Sequence, residues 1–295
     1  MITVKVPAST GNVGPGFDVL GLALTLYNEI SFEESGETLD ISGCPEKFAN
    51  EDNIAYKAFC ETLAYKGLKA PKGLKIVFKS EIPICRGLGS SSTLIVGGII
   101  GANAVCNLGL SKNEMLFIAN KLEGHPDNAA PAIFGGLIAS SVNDGEVYVA
   151  DYKVNEELKF TALVPDFETS TEKAREMLPE NIKRTDAVYT VGCLALLLKA
   201  FECADKILLA AALDDKLHQP FRKQLIPGFD DIRKLAIANG ADGLIISGSG
   251  STLLAVGGPK DFEDKMAQGL KPFAGNWRVL SLKADLEGAK VFNQD

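Results

Sequence analysis

The sequence predicts a two-domain protein in which strands and helices are mixed. The chain has 295 residues, which is close to the length at which a single hydrophobic core divides into two. Strand-like alternation of apolar residues occurs in both halves, and apolar segments with helical spacing lie between those strands. The regular pattern weakens from Val154 to Lys159, so we expect domains at residues 1–154 and 155–295.

The first strand is predicted at Ile2–Val6 and the second at Leu24–Glu33, with a loop rich in glycine and proline between them. That loop, residues 7–18, is either shaped around a ligand or is a plain connection. In the first case Asn12 and Asp18 are its polar contacts, and in the second their side chains satisfy the amides of the loop itself.

The next elements follow from capping and turn signals. Asp52-Asn53 caps a helix that begins at Ile54, and a strand at Lys75–Phe78 leads into a glycine-rich loop. Ser111–Glu114 is a capping box for a helix that runs to Glu123. Asp144-Gly145 is a hairpin turn between strands at residues 137–141 and 146–150.

The second half repeats this mixture of strands and helices. Its predicted strands are 160–164, 241–246, 252–256 and 278–282, and its predicted helices are 171–177, 188–201, 230–239 and 261–273. Ser247–Ser251, which reads Ser-Gly-Ser-Gly-Ser, lies between two of these strands. It either backs the glycine-rich loop of the first half or is a flexible hairpin turn.

The loop at residues 83–93, Pro-Ile-Cys-Arg-Gly-Leu-Gly-Ser-Ser-Ser-Thr, precedes an apolar helix at Leu94–Val105. Its glycines permit tight bending, and free amides at a helix N-terminus favour an anion such as phosphate. The alternative is a simple Ser/Thr cap, which explains one hydroxyl but not the whole pattern. The loop is neither a Walker loop nor a dinucleotide fingerprint, because the required lysine and third glycine are missing.

A second polar cluster covers Glu123–Pro131, at the end of the helix that begins in the capping box. An isolated cluster of this kind is explained by solvated capping chemistry. Beside a phosphate loop, however, Glu123 becomes a candidate Mg²⁺ ligand, because Mg²⁺ is usually held by one or two protein oxygens together with phosphates and water.

Composition excludes several classes of protein. The formal charge of −8 disfavours nucleic acid and anionic membranes as partners. Six scattered cysteines and two histidines support neither a zinc site nor a disulfide framework. The N-terminus has no signal-peptide pattern, and the longest apolar segment is too short to span a bilayer. We therefore expect a soluble, cytoplasmic protein.

Three motifs in order resemble the GHMP superfamily of small-molecule kinases: residues 7–18, the Gly-Leu-Gly-Ser-Ser-Ser loop and Ser-Gly-Ser-Gly-Ser-Thr at residues 247–252. Within that superfamily the chain is similar to the homoserine kinases over nearly its whole length, and His218–Arg222 is among the most specific stretches. The resemblance implies an α+β fold. Its parts are an N-terminal ATP-binding domain with a left-handed βαβ unit and a C-terminal ferredoxin-like domain, with the active site between them.

The resemblance also implies site residues. Ser91 and Glu123 would contact Mg²⁺, and Asn53 would lie near the nucleotide. Homoserine would be held by Asn12, Asp18, His125, Arg175 and Arg222, with the two arginines on its carboxylate. The loop that would hold the phosphates of ATP comprises Pro83, Ile84, Cys85, Arg86, Gly87, Leu88, Gly89, Ser90, Ser91, Ser92 and Thr93.

The catalytic assignment differs between members of the superfamily. Mevalonate and galactose kinases place an aspartate base in the region that matches Asp127-Asn128, whereas homoserine kinases carry Asp-Asn there and are argued to lack a dedicated base. The resemblance therefore assigns catalysis to Asn12 and Asn128. It does not assign Asp127 as a general base.

The activity implied is ATP-dependent phosphorylation of the L-homoserine hydroxyl in threonine biosynthesis, with a homodimer as the candidate assembly. The alternatives are a sister kinase for mevalonate, shikimate or a sugar, and a metabolite sensor without turnover.

Overall fold

The computed structural model of the chain describes residues 1–293. The N-terminal half contains, in order, β1 Ile2–Thr10, β2 Leu20–Glu34, β3 Leu39–Ser42, α1 Ile54–Tyr65, β4 Leu74–Ser80, α2 Ser90–Val105, α3 Lys112–Glu123, α4 Ala129–Phe134, β5 Leu137–Asn143 and β6 Glu146–Tyr152. The C-terminal half contains β7 Phe160–Val164, α5 Thr171–Glu176, α6 Arg184–Cys203, α7 Lys206–Ala212, α8 Gln219–Arg222, α9 Phe229–Ala238, β8 Gly243–Ile246, β9 Leu253–Val256, α10 Phe262–Gly269, β10 Arg278–Leu282 and β11 Lys290–Asn293. Short 3₁₀ helices occupy Glu46–Phe48 and Lys223–Leu225.

The first sheet has seven strands. Its main path runs β11-β1-β2-β4-β3, and the β5–β6 hairpin joins it through pairing of β5 with β2. Strands β3 and β4 pair in parallel and are connected through α1, which makes a βαβ unit, whereas the other pairs are antiparallel. The turn between β5 and β6 lies at Asp144-Gly145, which confirms the predicted hairpin.

The second sheet has four antiparallel strands in the order β10-β7-β9-β8. Numbered within this sheet along the chain, that is fourth, first, third and second, the order of a ferredoxin-like βαββαβ unit. Helices α9 and α10 bury one apolar face each against it, through Ile232 on α9 and Met266 on α10. The α+β class and the ferredoxin-like second half are confirmed.

One hydrophobic cluster joins the two halves. It contains Leu22 and Leu24 from β2, Phe160 from β7, Leu254 from β9 and Phe201 from α6, all fully buried. Burial of apolar surface is the main stabilising term in such a contact, at about 25 cal/mol for each Å² removed from water. The two sheets therefore share part of one hydrophobic core.

Helix α2 is the buried centre of the N-terminal half. It packs against the first sheet and against α1, and Val96 and Ile99 are completely buried in that core. Three glycines on α2 allow the close approach, and at Gly98 an added Cβ would lie 2.2 Å from the carbonyl oxygen of Ala55 on α1. The small residues in the apolar run thus serve helix packing.

Most predicted elements occur within a few residues of their expected positions, whereas β3, α4, α7, α8 and β11 were missed. Strand β11 returns to pair with β1 in the first sheet, although its residues follow the second sheet in the sequence. The domain limits of 1–154 and 155–295 stay a prediction. No helix among residues 1–293 is long and apolar enough to cross a membrane.

A pair of glycine substitutions tests the packing of α2 on α1. We expect Gly98→Ala to destabilise the protein by about 1–3 kcal/mol, because the new methyl group would collide with the backbone oxygen of Ala55. Gly192→Ala on α6 is the matched control. Nothing lies within 4 Å of the Cβ position there, so alanine should be neutral or stabilising by up to about 1 kcal/mol. Urea unfolding curves measure both, and equal effects would contradict the packing account.

Candidate active site

A cleft of about 780 Å³ lies where the first sheet's loops meet the second half. Both halves line it. The contributing residues are Asn12, Asp18, Cys85, Gly87, Gly89, Ser90, Ser91, Ser92, Glu123, His125, Asp127, Asn128, Glu168, Thr169, Ser170, Thr171, Lys173, Arg175, Arg222, Leu225, Gly248 and Ser249. The cleft thus brings together the three sequence motifs, as expected.

The glycine-rich loop forms one wall of the cleft and leads into the N-terminus of α2. Gly87 and Gly89 both have left-handed backbone angles, with φ of 74° and 66°. The first helical hydrogen bond of α2 runs from the amide of Thr93 to the carbonyl oxygen of Gly89. The preceding amides of residues 90–92 therefore have no acceptor within the helix, and they border the cleft together with the positive end of its dipole.

The Ser247–Ser251 hairpin backs this loop directly. The Ser247 hydroxyl donates to the carbonyl oxygen of Gly87 over 2.6 Å, and the amide of Thr252 donates to the carbonyl oxygen of Arg86 over 3.1 Å. A Cβ on Gly87 would lie 2.2 Å from the carbonyl oxygen of Ser247, so only glycine fits there. The prediction that this stretch backs the loop is confirmed by these hydrogen bonds.

Glu123 ends α3 beside the first turn of α2. Its Oε1 accepts a hydrogen bond from the Ser92 hydroxyl, whereas Oε2 is buried and has no hydrogen-bond partner among the residues that the structure describes. Burial raises the pKa of Glu123 to about 7, partly offset by the Ser92 hydrogen bond and by His125. A buried carboxylate oxygen without a donor is costly unless a cation compensates it.

These residues fit a Mg²⁺ ion that is shared with phosphates. Residues 1–293 contain no group of three His, Cys, Asp or Glu side chains arranged to hold a metal alone. The free oxygen of Glu123 and the adjacent serine hydroxyls match the small protein contribution that Mg²⁺ needs when a nucleotide supplies further oxygens. Ser91, the serine expected from the sequence, is exposed and lines the cleft, whereas Ser92 is the one that contacts Glu123.

The loop between β1 and β2 enters the cleft from the other side. Asn12 accepts a hydrogen bond from the amide of Asp18 over 2.8 Å and donates to the carbonyl oxygen of Gly248 over 3.1 Å. Both Asn12 and Asp18 have positive φ angles, of 56° and 54°. The Asn12 amide therefore shapes the loop and ties it to the second half, rather than being free for a ligand.

Asp18 and Arg175 form a bidentate ion pair across the cleft, with both N–O distances at 2.9 Å. Hydrogen bonding to Asp18 raises the pKa of Arg175 above its ordinary value. Both side chains are partly exposed, so the pair itself contributes little to stability. Its position in the cleft leaves an anion and a cation side by side for a ligand.

Arg222 is buried beside this pair, with only 1% of its surface exposed. Its guanidinium donates to the carbonyl oxygens of Ala174 and Gly248, and it forms no ion pair within residues 1–293. Burial lowers the pKa of Arg222 to about 10, against the opposing effect of Asp18. The ring of Phe17 lies 4.9 Å from this guanidinium and 5.9 Å from that of Arg175.

The segment after α3 carries a second linked set of side chains. His125 Nδ1 lies 2.9 Å from Oδ1 of Asp127, and this hydrogen bond raises the pKa of His125. Asn128 accepts hydrogen bonds from the Ser9 hydroxyl and the Gly11 amide, both over 3.0 Å. Asn128 thus fixes the loop around Gly11, and the buried Asp127 accepts a hydrogen bond from the Asn128 side-chain amide over 3.4 Å.

Some expected residues lie outside the lining of the cleft. Asn53 caps α1, where its side-chain oxygen accepts from the amides of Ala55 and Tyr56 and its nitrogen donates to the carbonyl oxygen of Phe48. Of the glycine-rich loop, the members that do not line the cleft are Pro83, Ile84, Arg86, Leu88 and Thr93. Nucleotide contact by these residues stays a prediction.

Sequence reasoning missed several contributors, among them Thr169, Phe17 and His218. Thr169 lines the cleft with a buried hydroxyl that has no partner among the described residues. Phe17 stacks on the ring of His218, with 5.3 Å between the ring centroids. His218 Nε2 donates to the carbonyl oxygen of Gly14 over 2.8 Å, and so holds the β1–β2 loop from below. Only the motif at residues 218–222 hinted at His218.

Two protein-family models match the chain. Residues 53–136 match the model of the GHMP kinases N-terminal domain, and residues 194–272 match that of the GHMP kinases C-terminal domain. The chain therefore belongs to the GHMP kinases.

A homoserine kinase of Clostridium botulinum (strain Alaska E43) is 46% identical over 301 residues, with all of both chains covered. The crystal structure of homoserine kinase from Cytophaga hutchinsonii is 28% identical with a TM-score of 0.87, and the match covers 99% of this chain and 97% of that one. Within the GHMP kinases, the chain is a member of the homoserine kinase family. Mevalonate kinase from Methanococcus jannaschii, at 17% identity and a TM-score of 0.73 over 96% and 98% of the chains, shares the fold.

The burial of His218 predicts a pH dependence of stability. Burial holds the pKa of His218 below its ordinary value of 6.5, so the folded protein keeps this ring neutral while the unfolded chain takes up a proton. The unfolded state then binds more protons, and stability falls as the pH drops below about 6.5, by up to about 1.4 kcal/mol per pH unit. The groups that face the ring are Asp215, Arg222, Asp18 and the carbonyl oxygen of Gly14.

His218→Gln is the comparison variant, because glutamine keeps an N–H donor but does not titrate. Urea unfolding between about pH 7.5 and 5 should show a steeper loss for the wild type than for His218→Gln. Parallel curves would mean that His218 is already protonated in the folded protein, or that burial does not lower its pKa.

Proposed function

We propose that this protein transfers the γ-phosphoryl group of ATP to the side-chain hydroxyl of L-homoserine, which gives O-phospho-L-homoserine and ADP. One observation carries the proposal. Arg222 is a buried guanidinium without an ion-pair partner in residues 1–293, and it lies beside a partly exposed Asp18–Arg175 pair in the same cleft as a phosphate-type loop. A buried cation of this kind favours a ligand that brings an anionic group.

The charges in this part of the cleft suit an amino acid. A zwitterion can offer its ammonium group to Asp18 and its carboxylate to Arg175 and Arg222. The existing ion pair would then be replaced by two new ones, and the carboxylate would also compensate Arg222. Mevalonate and shikimate lack the ammonium group, and a neutral sugar lacks both charges. Asp18 is therefore the residue that favours homoserine over the substrates of sister kinases.

The phosphate end of the reaction would lie at the other wall. The amides of residues 90–92 and the dipole of α2 would receive the triphosphate, with Gly89 permitting close approach. Mg²⁺, held by Glu123 with the Ser91 and Ser92 hydroxyls nearby, would neutralise charge on the phosphates. Glu123 and the first turn of α2 are thus the protein's part in holding the transferred group.

The chemical step requires that the homoserine oxygen form a bond to the γ-phosphorus while the bond to the β,γ-bridging oxygen breaks. The electron pair leaves with ADP, and the hydroxyl proton leaves late, to solvent or to the transferred phosphate. Asp127 is buried and hydrogen-bonded to His125. Its role in this proposal is therefore structural, and it does not act as the general base. Asn12 and Asn128, the residues assigned to catalysis, act in this proposal by holding the loops in position.

A coupled assay of ADP release over a panel of hydroxyl compounds tests the function. Homoserine should give the highest kcat/KM, with mevalonate, shikimate and galactose far behind. Faster turnover of one of those compounds would indicate a sister kinase. Binding of ATP and homoserine without ADP release would indicate a sensor. Participation in threonine biosynthesis, a cytoplasmic location and a homodimer remain part of the proposal.

Arg175→Met tests the carboxylate contact. We expect the KM for homoserine to rise about 10- to 100-fold, since a hydrogen-bonded contact to a charged group contributes about 1.5–3 kcal/mol. The KM for 3-aminopropan-1-ol, which lacks the carboxylate, should change little. Arg233→Met is the matched control, because Arg233 pairs with Asp214 away from the cleft. The contact is misassigned if the variant still distinguishes the two compounds as well as the wild type does.

Glu123→Gln tests the metal contact. The Mg²⁺ concentration for half-maximal activity should rise at least about tenfold, a loss seen even for outer-shell partners of a metal. Without Mg²⁺, the variant should unfold at the same or a higher temperature, because a neutral amide is cheaper to bury than a carboxylate. Glu202→Gln, which removes a surface ion pair, should change neither quantity. An unchanged Mg²⁺ requirement in Glu123→Gln would show that Glu123 does not hold the metal ion.

A further inference from the structure

We propose that Arg86 is a positioning residue that fastens the phosphate loop to the segment leading into α5, and thereby couples nucleotide binding to amino-acid binding. The inference rests on the proposed function for the identity of the two ligands. It assigns to Arg86 a role other than contact with phosphate, although Arg86 lies within the Gly-Leu-Gly-Ser loop motif.

Each of the three nitrogens of the Arg86 guanidinium has an acceptor in the protein. Nε donates to the carbonyl oxygen of Pro165 over 3.0 Å, and Nη2 donates to that of Asp166 over 2.6 Å. Nη1 donates to the carbonyl oxygen of Ile84 over 3.1 Å and lies 3.1 Å from a carboxylate oxygen of Glu168. The side chain is 14% exposed, and Arg86 does not line the cleft. The donors of Arg86 are therefore used on protein oxygens, which are backbone carbonyls and the carboxylate of Glu168.

These contacts join elements that are distant in the sequence. Pro165 and Asp166 follow β7, and the chain continues through Thr169 to α5, which carries Arg175. On the other side, the neighbours of Arg86 in the loop include Gly87 and the serines at the start of α2. One planar side chain thus connects the wall that would hold the triphosphate with the segment that would hold the carboxylate.

A fork-shaped side chain is needed for this arrangement. A guanidinium presents donors in fixed directions, and here they reach two successive carbonyl oxygens at once. A lysine keeps the charge but offers a compact point of donation that cannot span both oxygens. Arg86→Lys therefore separates the two roles: a charge that attracts phosphate survives this substitution, whereas a rigid link between the two segments does not.

The coupling predicts a reciprocal effect in the wild type. Homoserine should tighten binding of the nonhydrolysable nucleotide AMP-PNP, with Mg²⁺, by about fivefold or more, and the nucleotide should tighten homoserine binding by the same factor. In Arg86→Lys each ligand alone should bind with nearly its normal affinity, but the mutual enhancement should fall to about one. Titration calorimetry measures all four affinities. Arg233→Lys is the matched control and should keep the full enhancement.

Two results would overturn the inference: a wild type in which the ligands bind independently, or an Arg86→Lys protein that keeps the enhancement. A weaker affinity for nucleotide alone, with enhancement intact, would return Arg86 to the role of phosphate contact.

Hydrogen exchange of the wild type covers the case in which Arg86→Lys does not fold. AMP-PNP alone should slow amide exchange in residues 165–175 as well as in residues 84–92, and no protection of 165–175 would refute the link. This readout needs no amino acid, so it separates failure of the link from failure of the proposed function. The latter would appear as absence of ADP release with homoserine in the wild type.

Discussion

The carbonyl oxygen of Gly248 is the point on which the cleft depends. It accepts hydrogen bonds from the Asn12 side chain and from Arg222, while the Gly248 amide donates to the carbonyl oxygen of Gly11. The β1–β2 loop, the hairpin of the second half and the buried arginine are thereby held by the backbone of one residue, Gly248. Buried polar groups of this kind must be satisfied, so the three segments adopt their arrangement together.

This arrangement explains how an unpaired positive charge lies next to an ion pair. Asp18 and Arg175 pair at the partly exposed side of the cleft, whereas Arg222 is held underneath by carbonyl oxygens and by the face of Phe17. A ring face attracts a guanidinium electrostatically, by about 0.5–2 kcal/mol depending on solvent exposure. The protein thus stabilises a buried positive charge with neutral groups, which leaves that charge available to an anionic ligand.

The sequence predicted those parts of the site whose chemistry is local. The Gly-Leu-Gly-Ser-Ser-Ser pattern contains both the bends and the helix start that a phosphate loop needs, and the capping box at Ser111 sets the helix that ends at Glu123. Asn53 shows the limit of a motif, because its amide is used in capping α1. Its spacing before an apolar helix had already indicated that cap.

The rest depends on contacts between residues far apart in the chain. Arg86 reaches carbonyl oxygens about 80 residues away, and His218 reaches Gly14 across more than 200 residues. No local pattern encodes such a contact. Strand β11 is short and exposed, so it lacks the alternation that predicts a strand, and only its pairing with β1 defines it. These features are determined by backbone pairing between distant strands and by hydrogen bonds from side chains to distant residues.

The most direct test of the account is a crystal structure of the protein with AMP-PNP, Mg²⁺ and L-homoserine. The account predicts the phosphates on the amides at the start of α2, the ammonium group on Asp18 and the carboxylate between Arg175 and Arg222. The side-chain oxygen of homoserine should then lie about 3–3.5 Å from the γ-phosphorus, the separation of a reactive complex. A homoserine carboxylate bound away from both arginines, or a hydroxyl directed away from the γ-phosphate, would contradict it.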